Sequence, residues 1–261
     1  MNLAAGCRRL HRRRPAAWSP FAMMTTMATT STSTIKAPDA LRELRQRWAA
    51  AGRPAQKSIG WPRASWTAKF PEHTAMLNAL PEPIGRADVS AACRLAAGSD
   101  DAAVEAFVVA MVWGYGSVGY GPWRTRRILD RNPDAAASLR RTAQIQGAEG
   151  AVEAYRFLAN NGRLRYLGPA FATKFLHFVP QCGDGASALI HDALVSRAIR
   201  DLAGQRCSAT RWSTPTYARY LGLVGDWADD LDLDPVDIEM LLFVSRAPLP
   251  WAESWVSAAD A

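Results

Sequence analysis

The chain has 261 residues, 49% hydrophobic and 21% charged, which is enough apolar surface for a sizeable core and excludes a disordered composition. Its net charge of +7 sits at the start, since Arg8, Arg9, Arg12, Arg13, Arg14 and Lys36 precede the first acid, Asp39, and leave 25 cations against 24 anions behind them; a polyanion-binding surface would have to be a local patch. Cysteines at 7, 93, 182 and 207 form no CxxC pair or metal-ligand spacing, and no apolar run could span a bilayer or serve as a secretory core, so the expectation is a cytoplasmic protein with free thiols, no metal, no cofactor and no membrane partner.

Residues 1–36 are rich in Arg, Ser and Thr and free of acids. They read as a disordered basic tail or an extended start, with Met23, Met24 or Met27 as alternative initiators, and formally share the composition of a transit peptide. The folded domain is expected over 37–261. Leu41, Leu44 and Trp48 recur at helical steps up to Gly52 and Pro54. A connector rich in Pro and Trp follows to about residue 85, read as an irregular segment packed by its aromatics, with room for a short strand or two.

Helical periodicity then predicts helices over 87–97, 101–115, 122–131, 134–144, 150–160, 170–179, 192–203, 214–229 and 235–245. Ser99, Asp134, Thr214-Pro215 and Asp234-Pro235 supply start signals. Alternating patterns are scarce, so the fold class is all-α.

Lys174 is the only lysine after Lys69, and it lies in the apolar run Leu167 to Leu176 of a chain that otherwise uses Arg. Guanidinium cannot act as a nucleophile, whereas a desolvated ammonium can release its proton and attack carbon. Ahead of it, helix 150–160 stops at Asn160-Asn161-Gly162, and a turn with Arg163, Arg165 and Gly168 leads into the next helix. That is a helical hairpin whose second N-terminus can face a phosphate. Asp192 follows the lysine at the head of Ala193-Leu194-Val195. Each residue alone has an ordinary structural reading: the lysine as a side chain reaching the surface, the aspartate as an N-cap.

The succession of hairpin turn, Pro169-Ala170-Phe171-Ala172-Thr173-Lys174, apolar helix and Asp192 resembles the helix-hairpin-helix DNA glycosylases, in particular their 8-oxoguanine branch. There a Pro-Gly-Val-Gly-Thr-Lys segment carries the catalytic lysine. Both hairpin glycines are alanines here, at 170 and 172. The resemblance implies two packed helical lobes with a cleft between them. It also implies Lys174 as nucleophile, Asp192 as its carboxylate, Gly168 and Thr173 at the DNA backbone, and a monomer acting on double-stranded DNA with a modified base or an abasic site. A neutral lysine amine adding to the sugar would release the base and leave a Schiff base open to β-elimination.

Residues 113–124 contain a literal GxGxxG, but helical periodicity precedes it where a nucleotide loop needs a strand. The better reading is a glycine-aromatic loop whose Tyr115, Tyr120 and Trp123 are wedge candidates for an opened duplex, with Arg124 and Arg127 at phosphates. A close-packed turn with core aromatics is the alternative. Late in the chain, Glu239 and Phe243 share a helix face, and with Phe178 they are the candidates for a base pocket. His177 and His191 read as packing residues, and the aspartates at 226–234 as solvated helix-end charge. Two other functions stay open: a DNA-binding protein or scaffold that retains the fold without catalysis, and a purely protein-interacting helical domain.

Overall fold

The computed structural model describes residues 35–181 and 187–256. The basic tail before Ile35 and Cys182 lie outside the described residues. Among those residues there are thirteen α-helices and no strand. The connector holds one isolated antiparallel bridge, Ile59 with Ile84, where strands were conceivable.

Helix α1 spans Asp39–Ala50 and buries Leu41, Leu44 and Trp48, as its spacing requires. Two short helices, α2 (Arg63–Lys69) and α3 (Thr74–Ala79), occupy the connector that reads as irregular. They have too few residues to show a period or to persist alone. Trp66 and Phe70, both fully enclosed and stacked at 5.8 Å, hold them to the core.

After α4 (Arg86–Ala92), Ser99 caps α5 (Asp100–Tyr115) by accepting from the Ala102 amide. A one-sided apolar stripe is the expectation for α5. In fact every residue from Ala106 to Trp113 is buried, which makes it the central helix, apolar all round. Helices α6 (Gly121–Asp130), α7 (Ala135–Glu149), α8 (Ala151–Ala159) and α9 (Pro169–Phe178) follow, and α5 packs against α4, α6, α7 and α9.

The remaining helices are α10 (Ala193–Ala203), α11 (Thr214–Leu231), α12 (Pro235–Val244) and α13 (Glu253–Val256). Ser213, rather than Thr214, caps α11 through the Thr216 amide, with Pro215 in the first turn. Asp134 and Asp234 precede their helices without a side-chain cap bond. The acidic stretch of α11 is not simply solvated. Asp230 receives Lys36 Nζ at 2.7 Å, the Ala37 amide at 2.9 Å and the Arg42 guanidinium, which tie the start of the described chain to α11. Lys36 and that amide hold its carboxyl below the usual range. No helix among the described residues is long and apolar enough to cross a membrane.

Candidate active site

The hairpin is α8, a turn over residues 160–168, and α9. Gly162 packs flush on the Phe157 ring, which leaves no room for a Cβ. Asn132 fastens the turn to α6: its Oδ1 accepts from the Arg165 amide at 2.8 Å, and its Nδ2 donates to the carbonyls of Ile128 at 2.6 Å and Arg165 at 3.1 Å. A Cβ at Gly168 would meet no atom within 4 Å, so a ligand's approach there is open.

Lys174 lies midway along α9 and is only 9% exposed. Its Nζ stands 3.3 Å from Asp192 Oδ2. Asp192 is also the N-cap of α10, with Oδ1 accepting from the amides of Leu194 at 3.0 Å and Val195 at 3.1 Å. Of the two ordinary readings the aspartate's cap holds and the lysine's does not, since the amine is buried: one carboxylate oxygen caps, and the other faces the amine. A charge-assisted cap of this kind pre-orients the carboxylate before any ligand arrives.

The segment before α10 is braced from several sides. Thr173 Oγ1 donates to the Ala170 carbonyl at 3.0 Å and accepts from the His191 amide at 3.0 Å. Tyr217 and Tyr220 donate their phenols to the carbonyls of Leu189 and Ile190 at 3.1 and 2.8 Å. His191 stacks on Tyr220 at 4.5 Å and its Nε2–H donates to the Cys207 carbonyl at 3.0 Å. Burial lowers its pKa to about 4, so it is neutral and structural.

A pocket of about 120 Å³ opens on the pair, bounded by Gln56, Arg86, Trp113, Gly114, Glu239 and Phe243 among others. Glu239 is 1% exposed. Arg86 Nη2 comes within 2.8 Å of its Oε2, but off the line a hydrogen bond needs, so that oxygen has no directed donor. Burial raises the Glu239 pKa, and Arg86 works against that rise. The other Arg86 nitrogens are engaged: Nε donates to Gln56 Oε1 at 2.8 Å and Nη1 to His177 Nε2 at 2.9 Å. His177 in turn donates from Nδ1 to the Ala188 carbonyl at 2.9 Å. That network fixes its tautomer, and burial, with Arg86 adding to it, lowers its pKa to about 3.

Several residues read as contacts are placed otherwise. Thr173 is enclosed, its hydroxyl wholly used within the fold, and cannot reach DNA. Phe178 is buried edge-on against Trp113 at 5.0 Å and backs the pocket without lining it. Tyr115 is buried because the chain turns back at Gly116 (φ 53°) and its ring stacks on Phe171 at 4.2 Å. Of the three wedge candidates only Tyr120 and Trp123 are exposed, at 55% and 52%. Arg124 lies over the Tyr120 ring at 5.1 Å and Arg127 over Trp123 at 5.3 Å; Arg163 and Arg165 are exposed on the turn. Arg86 and Gln56 carried no sequence signal for a pocket. Trp113 and Gly114 did, as part of the glycine-aromatic loop, but under a different reading.

An all-helical fold that buries a lysine behind a helical hairpin, against the capping carboxylate of the next helix and beside a small pocket, is that of a DNA glycosylase-like protein. The chain belongs to the family described as "Putative 8-oxoguanine DNA glycosylase OGG-like protein", whose model matches residues 52–243. No curated protein and no solved structure matches it significantly.

Proposed function

We infer that the protein is a DNA glycosylase with lyase activity, removing an oxidised guanine or similar modified base from duplex DNA. The observation that carries this reading is the Lys174–Asp192 pair, 3.3 Å apart at the mouth of a pocket. The Lys174 nitrogen attacks the anomeric carbon of an extruded nucleotide as the glycosidic bond breaks; the electron pair leaves with the base, and a proton from the attacking amine passes to it. Asp192 stabilises the positive charge that develops on the sugar. Ring opening gives a Schiff base between Lys174 and the sugar, and loss of the adjacent proton expels the 3′ phosphate.

Glu239 supports a guanine-type ring. The Watson–Crick edge of guanine carries two neighbouring N–H donors, and a buried carboxylate whose Oε2 is held by charge rather than by a directed hydrogen bond has acceptor capacity for them. Adenine would set a ring-nitrogen acceptor against it. Phe243, on the same helix face, offers a stacking surface. Arg163 and Arg165 on the turn, the open backbone at Gly168, and Arg124 and Arg127 on α6 are suited to phosphates, with Tyr120 and Trp123 at the opened step.

Borohydride trapping on duplexes carrying 8-oxoguanine or an abasic site tests the reading. Wild type is expected to form a covalent adduct and Lys174→Gln none. Equal behaviour of the two would remove Lys174 from the chemistry and favour the non-catalytic DNA-binding alternative.

A further inference from the structure

The cavity at the Lys174–Asp192 pair holds only about 120 Å³, less than the roughly 300–1,000 Å³ usual for a ligand pocket. A second cavity of about 370 Å³ adjoins it, and Gln56 and Arg86 line both. Beyond those two residues its walls are Trp48, Val236 and Met240, together with Arg53 and Asp237, which also border the open cavity at the end of α11.

Helix α12 forms a floor common to the two. Val236, Met240 and Phe243 recur at four- and three-residue steps and so make one stripe, with Val236 and Met240 in the larger cavity and Phe243 in the smaller. From Val236 to Phe243 the helix rises about 10 Å, so a ring stacked on Phe243 has the larger cavity within reach of a substituent. The divide is the hydrogen bond from Arg86 Nε to Gln56 Oε1, 2.8 Å long. Residues 55–58, which carry Gln56, are irregular and make no backbone–backbone hydrogen bond among the described residues. A segment so lightly fastened opens without disturbing the helices around it, and Arg86 keeps His177 and Glu239 when Gln56 leaves.

We propose that the larger cavity is an annex of the base pocket, and that the protein accepts guanines carrying a bulky apolar substituent on the exocyclic N2 amine. This rests on the glycosylase reading above and names a wider substrate class for it. The position of the substituent follows from Glu239. A guanine with one N2 substituent keeps N1–H and one N2–H, so both donors to the carboxylate survive, whereas an O6 substituent removes the N1 proton and sets an acceptor against it. The substituent passes along α12 toward Met240 and Val236, displaces the Gln56 side chain and packs against Trp48. Indole, thioether and isopropyl groups there suit an aryl group.

The test is single-turnover base release by the full chain from duplexes carrying 8-oxoguanine, N2-benzylguanine or O6-benzylguanine. Wild type is expected to release N2-benzylguanine within about tenfold of the 8-oxoguanine rate, and O6-benzylguanine about a hundredfold more slowly or worse. Val236→Trp, which fills the annex away from the reacting pair, should slow N2-benzylguanine by about tenfold or more and leave 8-oxoguanine within about twofold. Val236→Phe is the milder filling if the tryptophan impairs folding. Gln56→Ala removes the divide and should raise the rate on N2-benzylguanine relative to 8-oxoguanine. The annex is overturned if wild type releases no N2-benzylguanine, if a folded Val236 variant loses both substrates equally, or if O6-benzylguanine is released as fast as its N2 isomer. The glycosylase reading fails separately, by the absence of borohydride adducts on 8-oxoguanine and abasic duplexes.

Discussion

Gly114 lies against the aliphatic stem of Lys174: a Cβ there would stand 2.8 Å from Lys174 Cδ and 3.3 Å from Phe171 Cε1. Bare backbone on the last turn of α5 is what lets the amine run alongside that helix to reach Asp192. Gly114→Ala gains about 1 kcal/mol of helix propensity and incurs about 1–3 kcal/mol of overpacking. The thermal midpoint should therefore move little, while displacement of the amine cuts single-turnover trapping by roughly tenfold or more. Trapping at the wild-type rate would show that the stem moves aside freely.

Asp192 combines a structural and a proposed catalytic role that two substitutions separate. Asparagine is as good a cap as aspartate, so Asp192→Asn should keep stability within about 1 kcal/mol of wild type and lose most of the trapping. Asp192→Ala should lose trapping and a further ~1 kcal/mol through the uncapped α10. Full activity in the asparagine variant would mean that the negative charge is not needed.

Arg86 is the cation that offsets a fully enclosed carboxyl. Arg86→Met leaves Glu239 buried without a partner and should cost about 3–5 kcal/mol in urea denaturation. Adding Glu239→Gln should restore much of that loss, because the buried charge is gone. Simple additivity of the two changes would contradict the coupling.

Acid should destabilise the fold through its two buried histidines. His177 and His191 are lowered from 6.5 to about 3 and about 4, so the unfolded chain takes up protons first. Their contribution is complete above pH 6.5 and is lost as pH falls through the folded values. Glu239, raised above 4.5, has the opposite sign: its contribution is lost as pH rises through its folded value. Asp237, also raised by burial, shares the sign of Glu239, but both histidines titrate in the unfolded chain from pH 6.5 downward and are lowered by more than two pH units, so the melting midpoint should drop with acid between pH 6.5 and 4.5. His191→Gln, which can retain the donor to Cys207 without titrating, should flatten the profile. A wild-type midpoint that stays constant or rises over that window would contradict it.

The helices were legible to the extent that they were long and amphipathic. From residue 100 to 245 periodicity and punctuation locate each one, because 3.6-residue spacing and Gly or Pro boundaries are local properties of the chain. Helices α2 and α3 were not legible, being held by Trp66 and Phe70 against distant helices. The identity of the α11 cap turned on one residue, Ser213, whose geometry is decided by how the preceding loop enters the helix.

The sequence by itself determined that the chain is all-α, that a hairpin leads into a helix carrying an isolated lysine, and that an aspartate opens the next helix in the chain. These are local facts of composition, period and spacing. Only the tertiary structure decided that the two charges meet at 3.3 Å, that Arg86 and Gln56 from the connector side join Glu239 in one pocket, and that Tyr115, Thr173 and Phe178 turn inward. Such outcomes depend on helix crossings and side-chain burial between residues far apart in the chain, and no local pattern encodes them.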